Sequence, residues 1–403
     1  MPTRRRVGAW LLWVLVVPHI TRAQELSEQQ LVDLILRQGA QAAAIRASVD
    51  VTAREQLART AFPNPRVSYT QEGAGFTEFL QVEQLVPTFG TRTVLARAGT
   101  AATAAAEADR DARLWQLRSD AQTLVARLIS EQQKVDIWQA SLRDAEAIVR
   151  LLRVREQEGE GSRFDRLRAE QELADARQIA ADATAAVVEA RASIAAATGT
   201  EPGFTRVTGV VFAERTVPPL DVLISRASAS RAELRALLSA SDRFNLEASA
   251  ARRARLPAPT ITAGLKRADT ETGRQSGGLF AINLAVPLFD SGRREAGRWT
   301  AERGRVDAER TFAAQLVSAQ VTGASAVLEI RQEALRTVDV ASATDELASI
   351  AVVAYREGEI GILELLDAHR TVARVRLRSV EIRHAARLAQ IALERAVGDM
   401  LWP

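Results

Sequence analysis

The chain has 403 residues, 47% of them hydrophobic and 26% charged, so its length allows two or three domains with a large buried core. It has no cysteine, which excludes a disulfide framework, a thiolate metal site and lipid attachment through cysteine. Its three histidines are too few for a histidine-rich metal site. The 53 basic and 50 acidic residues are interspersed, so no concentrated basic face predicts nucleic-acid binding.

The first 23 residues have the pattern of an export signal. Arg4, Arg5 and Arg6 precede an uninterrupted apolar run over 7–17. That run is too short to span a bilayer, which takes about 20 residues, but its length is typical of a secretory signal. We therefore predict a signal peptide over 1–23 and an exported mature chain that begins at Gln24. We also predict that no later segment forms a transmembrane helix.

Four short motifs of the mature chain recur in the same order in its second half. Because such self-similarity indicates a duplication, we predict two structural repeats, 24–200 and 219–399. A linker over 201–218 joins them, and a tail over 400–403 follows. The recurring pairs are Pro63-Asn64-Pro65 with Pro257-Ala258-Pro259, Val86-Pro87 with Val286-Pro287, Glu158-Gly159-Glu160 with Glu357-Gly358-Glu359, and Ala197-Thr198-Gly199 with Ala396-Val397-Gly398.

Each repeat is predicted to run helix, β-hairpin, long helix, turn and return helix. The first helices end at the proline pairs, and the long helices contain no proline and many strong helix formers. A helix of about 65 residues is roughly 95 Å long, which predicts antiparallel coiled-coil packing. The predicted helices are 26–60, 92–156 and 163–198 in the first repeat, with a turn at 157–162, and 219–254, 293–356 and 362–397 in the second, with a turn at 357–361.

The two predicted β-hairpins, 66–87 and 259–287, alternate apolar and polar residues. A period of two places one face of each strand in an apolar medium and the other in water. The strands have about 8–10 residues, close to the 9–11 that cross a membrane. The residues predicted to face lipid are Val67, Tyr69, Leu80, Val82, Val86, Ile261, Leu265, Phe280, Ile282 and Leu284.

Four strands are too few to close a barrel by themselves. An open sheet edge in lipid has N–H and C=O groups without hydrogen-bond partners, so closure requires several chains. Three chains would supply twelve strands, an even number of the kind found in membrane barrels. The alternative at this point is a pair of soluble hairpins that cap a coiled coil.

This order of elements, with Pro63-Asn64-Pro65 and Val86-Pro87-Thr88-Phe89, resembles the TolC-like outer-membrane factor family. The most specific segment is Tyr355–Ala368, an aromatic residue and a glycine turn followed by acidic residues, which is similar to the family's periplasmic tip motif. The resemblance implies a mainly α fold with a small β part: a homotrimer with a 12-stranded outer-membrane β-barrel, continued by a periplasmic helical barrel of antiparallel coiled coils. It implies no catalysis, no metal and no cofactor.

The resemblance also implies a function and partners. The chain would be the exit duct of a tripartite efflux or type I export system that carries small molecules or metal ions. Its partners would be a periplasmic adaptor protein and, indirectly, an inner-membrane transporter, of the RND type by resemblance. In such systems the tip turns contact the adaptor, which assigns docking to Gly159, Ser162, Gly358 and Gly361.

Two acidic residues near the second turn are candidates for a pore constriction. Glu364 and Asp367 are three residues apart at the start of a helix, so both project from the same face. One interpretation is that acids at a helix N-terminus interact favourably with the helix dipole. The other is that a trimer assembles them into two acidic rings that attract cations. The matching positions of the first repeat are Asp165 and Arg168, so only one turn has two acids.

Two other classes of protein are alternatives to the exit duct. An exported periplasmic coiled-coil adaptor or spacer without a membrane barrel would need one helical hairpin flanked by β-rich domains, whereas this sequence has two. A periplasmic hydrolase would need convergent nucleophile and base residues. His369 and His384 are the only histidines of the mature chain, and we predict both as plain helix-surface residues. Little sequence remains for an elaborate equatorial domain.

Overall fold

The computed structural model describes residues 24–73, 76–87, 90–199, 203–253, 255–338 and 341–402, so the predicted signal peptide lies outside the described residues. Most of them are helical, which confirms the mainly α class with a small β part. The strands are β1 (Gln24–Ser27), β2 (Arg66–Glu72), β3 (Thr77–Leu85), β4 (Phe204–Thr208), β5 (Pro259–Thr270) and β6 (Gly273–Leu284). The helices are α1 (Glu28–Gln38), α2 (Ala40–Arg59), α3 (Thr91–Gln157), α4 (Arg163–Thr198), α5 (Leu220–Ser230), α6 (Ala232–Arg253), α7 (Arg293–Val338), α8 (Ala341–Arg356) and α9 (Ile362–Val397).

The two helices predicted before the hairpins are each broken, which the sequence analysis did not foresee. The first is interrupted at Gly39, where a Cβ atom would lie 2.5 Å from the Ile35 carbonyl oxygen and 2.7 Å from that of Ala197. Only glycine fits this close approach of two helices. The second is interrupted at Arg231, whose guanidinium donates hydrogen bonds to the carbonyl oxygens of Arg395 and Ala396. Each break therefore lies where the first helices meet the end of a return helix.

The long helices match the predicted lengths over the described residues. Helix α3 has 67 residues, roughly 100 Å at 1.5 Å per residue. The predicted helix 293–356 is described as α7 and α8, and residues 339 and 340 between them lie outside the described residues. The return helices α4 and α9 have 36 residues each.

The sheet and the helices have the same lateral order. One four-stranded sheet has the order β2-β3-β5-β6, with every neighbouring pair antiparallel. Below it, α2 packs on α3, α3 on α6, and α6 on α7. Because α2 leads into β2, β3 into α3, α6 into β5 and β6 into α7, the helices continue the sheet as one wall.

A small parallel sheet of β1 and β4 was missed by the sequence analysis. It lies against a core formed by α1, α3 and α4, to which Phe204 and Val207 contribute. The side-chain amide of Gln132 on α3 donates to the Val207 carbonyl oxygen and accepts from the Val207 N–H. The edge of β4 is thus satisfied by a helix side chain instead of a third strand.

One helix, α7, is long and apolar enough by length and composition to cross a membrane, although the sequence analysis predicts no transmembrane helix after the signal peptide. Within Arg293–Thr337 of α7 a window reaches a mean hydropathy of 1.2. Val317, Val321 and Leu328 of this helix are buried in a core shared with α5 and α9. Since α7 packs against these helices and α6, we interpret it as part of the helical wall.

The C-terminal tail packs against the same core. The Glu394 carboxylate is buried and accepts the N–H groups of Leu401 and Trp402. Burial raises the pKa of Glu394. The Trp402 indole donates to the Thr216 carbonyl oxygen, so the tail contacts the segment between the two halves of the chain.

Candidate functional site

The four-stranded sheet has one exposed apolar face. Directly paired residues of antiparallel strands lie on the same face, and the register pairs Val67 with Val82, Tyr69 with Leu80, and Leu80 with Leu265. Nine of the ten predicted lipid-facing residues share this face, and all nine are exposed. The tenth, Val86, lies just beyond β3, is half-buried, and donates its N–H to the Pro259 carbonyl oxygen.

The apolar face forms a band of limited height. Its first row contains Tyr69, Leu80 and Leu265, and its last contains Leu284 opposite Pro259. These rows are six residues apart, about 20 Å along the strands, against a band roughly 25 Å tall in membrane β-barrels. Beyond the first row the same face becomes polar, and Glu78 forms an ion pair with Arg274 at 3.1 Å.

The opposite face of the sheet is polar. Asn283 donates to the Thr262 hydroxyl at 3.3 Å, and the Lys266 ammonium lies 5.3 Å from the centre of the Phe79 ring. Among the described residues, β2 and β6 each pair with one strand only, which leaves one free edge on each side of the sheet. The sheet is therefore two-faced and open at both sides.

The opposite end of the molecule has its own apolar core. Tyr355 packs there with Leu152 of α3 and with Ile362, Leu365 and Leu366 of α9. The Arg155 guanidinium lies 5.5 Å from the centre of the Tyr355 ring. Burial, together with the nearby negative charge of Asp165, raises the pKa of Tyr355. These contacts join the turn that follows α3 to the turn that follows α8.

The structure brings the four predicted docking residues to this end. Gly159 and Gly358 have left-handed φ angles of 80° and 77°, and a Cβ atom at either would meet open space. Ser162 is the N-cap of α4, and its hydroxyl accepts the Phe164 N–H at 3.1 Å. Gly361 is the N-cap of α9. The two turns are thus similar in shape and exposed at their glycines.

An arginine cluster behind the first turn was missed by the sequence analysis. Arg166 forms ion pairs with Glu156 and, at 2.8 Å, with Glu170, and Arg153 contacts Glu170 at 2.9 Å. Hydrogen bonds from Arg153 and Arg166 lower the pKa of Glu170. Arg166 and Glu170 are four residues apart on one helix, a spacing that predicts their ion pair. The ion pairs Arg166–Glu156 and Arg153–Glu170 join two helices and could not be predicted from spacing.

Glu364 and Asp367 both lie exposed on the first turns of α9. Between them Leu365 and Leu366 are buried in the core at this end. The two carboxylates therefore share the face of α9 that points away from that core. In the first turn Asp165 is half-buried near Tyr355, and Arg168 is exposed.

The two histidines are more enclosed than predicted. The Nε2 atom of each is buried without a hydrogen-bond partner among the described residues. The Nδ1 atom of His369 lies 3.7 Å from the Asp144 carboxylate. Burial and the nearby Lys134 ammonium lower the pKa of His384. The prediction of plain surface residues was wrong because α9 packs these side chains against α3. Within the described ranges, no group of three or more His, Cys, Asp or Glu could hold a metal ion.

The sequence is similar to a family model of efflux proteins and to proteins of metal resistance and cation efflux. Residues 223–399 match the family model described as Outer membrane efflux protein. The chain is 26% identical over 251 residues to the cobalt-zinc-cadmium resistance protein CzcC of Cupriavidus metallidurans, covering 60% of this chain and 57% of that protein. It is 26% identical over 191 residues to the cation efflux system protein CusC of Escherichia coli, covering 45% of this chain and 40% of that protein. The matched regions thus span about half of these relatives.

The fold is similar over a longer range. A crystal structure of CusC, from a study of folding and transmembrane channel formation, superimposes with a TM-score of 0.75 at 16% identity. The superposition covers 93% of this chain and 92% of that one. The predicted resemblance to TolC-like outer-membrane factors and the predicted location in the outer membrane are confirmed by these matches.

Proposed function

Since the chain is similar to outer membrane efflux proteins in sequence over 223–399 and has their fold over 93% of its length, we propose that it is the passive exit channel of an efflux or type I export system, and not an enzyme. The observation that carries the proposal is the two-faced sheet with two free edges above a wall of long helices. An apolar outer face suits lipid, and a polar inner face suits a water-filled lumen.

Closure of that sheet requires several chains, and we propose a homotrimer. The free edges of β2 and β6 would be unsatisfied in lipid, where each unpaired backbone group costs several kcal/mol. Pairing β6 of one protomer with β2 of the next around a threefold axis removes all edges and gives twelve strands. The helices below then form a periplasmic helical barrel. In this assembly the halves 24–200 and 219–399 act as two structural repeats, each with one hairpin and one return helix.

The turns at 157–162 and 357–361 form the docking tips for a periplasmic adaptor. Exposed glycines leave backbone groups accessible to a partner helix, and Gly159 and Gly358 have open space around them. The core of Leu152, Tyr355 and Leu365 holds the two turns together, so an adaptor can contact both at once. The adaptor in turn links the channel to an inner-membrane transporter, for which the RND type fits the resemblance.

Glu364 and Asp367 form the pore constriction of the trimer. Three copies of each exposed carboxylate at the narrow end would attract cations and repel anions. The test is the reversal potential of the purified protein in planar bilayers under a salt gradient. E364Q/D367N should reduce cation selectivity, whereas D165N, at the matching position of the first turn, should leave it unchanged. Equal selectivity of wild type and double variant would make the pair a helix cap.

The cargo class is taken from the relatives. The names of CzcC and CusC concern cobalt, zinc and cadmium resistance and cation efflux, so we include divalent metal cations, beside other small molecules, as cargo of this channel.

The test of this function is growth of a deletion strain on cobalt, zinc, cadmium and a panel of antibiotics. The full chain should restore resistance to at least one of them, and a chain without residues 357–361 should not. Restoration by a soluble periplasmic form without residues 66–87 and 259–287 would instead support the coiled-coil spacer.

A further inference from the structure

The junction between the sheet and the helices has arginines that the proposed channel does not use. Arg252 lies at the end of α6, Arg255 four residues before β5, and Arg293 at the first position of α7. All three are exposed, and they line one cavity of about 450 Å³. The cavity wall also includes the hydroxyl-bearing residues Ser291 and Thr300. The Thr300 hydroxyl already donates to the Ala296 carbonyl oxygen at 2.8 Å, so the guanidinium groups and the Ser291 hydroxyl are the donors that suit an anionic oxygen ligand.

None of the three guanidinium groups forms an ion pair within the part of the chain that the structure describes. The acidic residues nearest in sequence to Arg293 are already engaged. The Asp290 carboxylate accepts the Gly292 N–H at 3.0 Å, and Glu295 forms an ion pair with Arg298 at 2.6 Å. The hydrogen bond leaves the negative charge of Asp290 in place, but three guanidinium groups outnumber it, so the cavity keeps a net positive potential that an entering anion would relieve.

The cavity lies at the boundary of the apolar face of the sheet. The last row of that face pairs Leu284 with Pro259. Pro259 follows Arg255 by four residues in the sequence. Leu256, next to Arg255, is exposed, and Phe289, two residues before Ser291, is completely exposed. The cavity is thus lined by arginines, and exposed apolar residues are close in sequence to two of the residues that line it.

We propose that this cavity binds the phosphate group of a phospholipid from the leaflet that borders the helical barrel. Arginine forks match phosphate oxygens in a bidentate way, and the adjacent apolar residues would contact the start of an acyl chain. The phosphate chemistry follows from the cavity itself, while the lipid source rests on the proposed function. The site would fix the height of the barrel in the membrane, because headgroup and apolar band meet at Arg255 and Leu284.

The test uses the full chain purified in a neutral detergent and titrated with dioleoylphosphatidylglycerol, with binding measured by native mass spectrometry. The site variant is R252Q/R255Q/R293Q. The matched control is R143Q/R150Q/R163Q, three exposed arginines toward the other end of the molecule. Dioleoylglycerol, which lacks phosphate, and inorganic phosphate alone provide the two source controls. Circular dichroism of each variant verifies that the helices are intact.

Loss of charge-assisted hydrogen bonds should weaken lipid binding by the site variant at least about ten-fold, with the control variant unchanged. Dioleoylglycerol should not compete. Equal affinity of site variant and wild type would overturn the proposal, and so would binding of inorganic phosphate without binding of the lipid. Because detergent titration requires no channel activity, a failure of the conductance or resistance assays is distinguishable from a failure of this site.

Discussion

The ion pair between Arg59 and Glu247 joins the two halves of the chain and permits a sharp prediction. Arg59 on α2 contacts both oxygens of the Glu247 carboxylate on α6, at 2.7 and 3.0 Å. The Glu247 side chain is only 2% exposed, whereas that of Arg59 is 41% exposed. The two partners therefore differ in what is left behind when the other is removed. Glu247 alone is a buried charge, and Arg59 alone can be hydrated.

This asymmetry sets the expected magnitudes. Removing one partner of a buried ion pair, so that the other is left as an uncompensated charge, lowers the free energy of unfolding by about 3–5 kcal/mol. Because Arg59 is partly exposed, we expect a smaller loss of about 2–3 kcal/mol for R59L. With an unfolding entropy of about 2.1 cal/mol/K per residue, that corresponds to roughly 3 °C in Tm. E247Q should cost less, because glutamine retains an acceptor for Arg59 and leaves no buried charge. R59L/E247L should recover part of the loss.

The assay is thermal unfolding of the detergent-purified protein, followed by circular dichroism at 222 nm. The matched control is R37L, which removes a wide and exposed pair in which Arg37 and Asp33 are 4.0 Å apart, and its Tm should stay within about 1 °C of wild type. A larger loss for E247Q than for R59L would refute the reasoning, because it would make the arginine, and not the carboxylate, the group that depends on its partner.

Three further predictions concern other parts of the molecule. H384Q should flatten the pH dependence of Tm below about pH 6.5, because a lowered pKa in the folded state means that protonation favours the unfolded chain; identical pH profiles for variant and wild type would contradict this. G358A should lower the free energy of unfolding by about 1–2 kcal/mol, and Tm slightly, because alanine is strained at the left-handed φ of this position. A bulky G358V should abolish efflux while the protein still reaches the outer membrane, and G203A, also in open space, is the control. F280R should weaken assembly into lipid by about 2–4 kcal/mol in a refolding titration, and no effect would mean that this face does not contact lipid.

Much of the architecture was predictable because periodicity is a local signal. Alternation in β5 and β6 indicated the exposed face, and the proline-free run of α3 indicated its length within a residue at each end. The joining of the two hairpins into one sheet was not predictable from local pattern, since the pairing of β3 with β5 connects residues 175 to 191 positions apart.

The features that sequence reasoning missed depend on close approaches between distant segments. Gly39 reads as an ordinary helix residue until the Ala197 carbonyl oxygen is known to lie beside it. The strand β1 has four residues, too few to show a period, and its partner β4 lies in the predicted linker. His369 and His384 have polar neighbours in sequence, and only the packing of α9 against α3 buries their Nε2 atoms.

The central proposal is that the open four-stranded sheet closes by assembly of three chains. The most direct measurement is the mass of the detergent-solubilised protein by size-exclusion chromatography with multi-angle light scattering, with circular dichroism of the same peak. The account predicts a single species with the protein mass of three chains and an intact strand signal. A monodisperse monomer with the same strand signal would show that the edges of β2 and β6 need no partner, and would contradict the account.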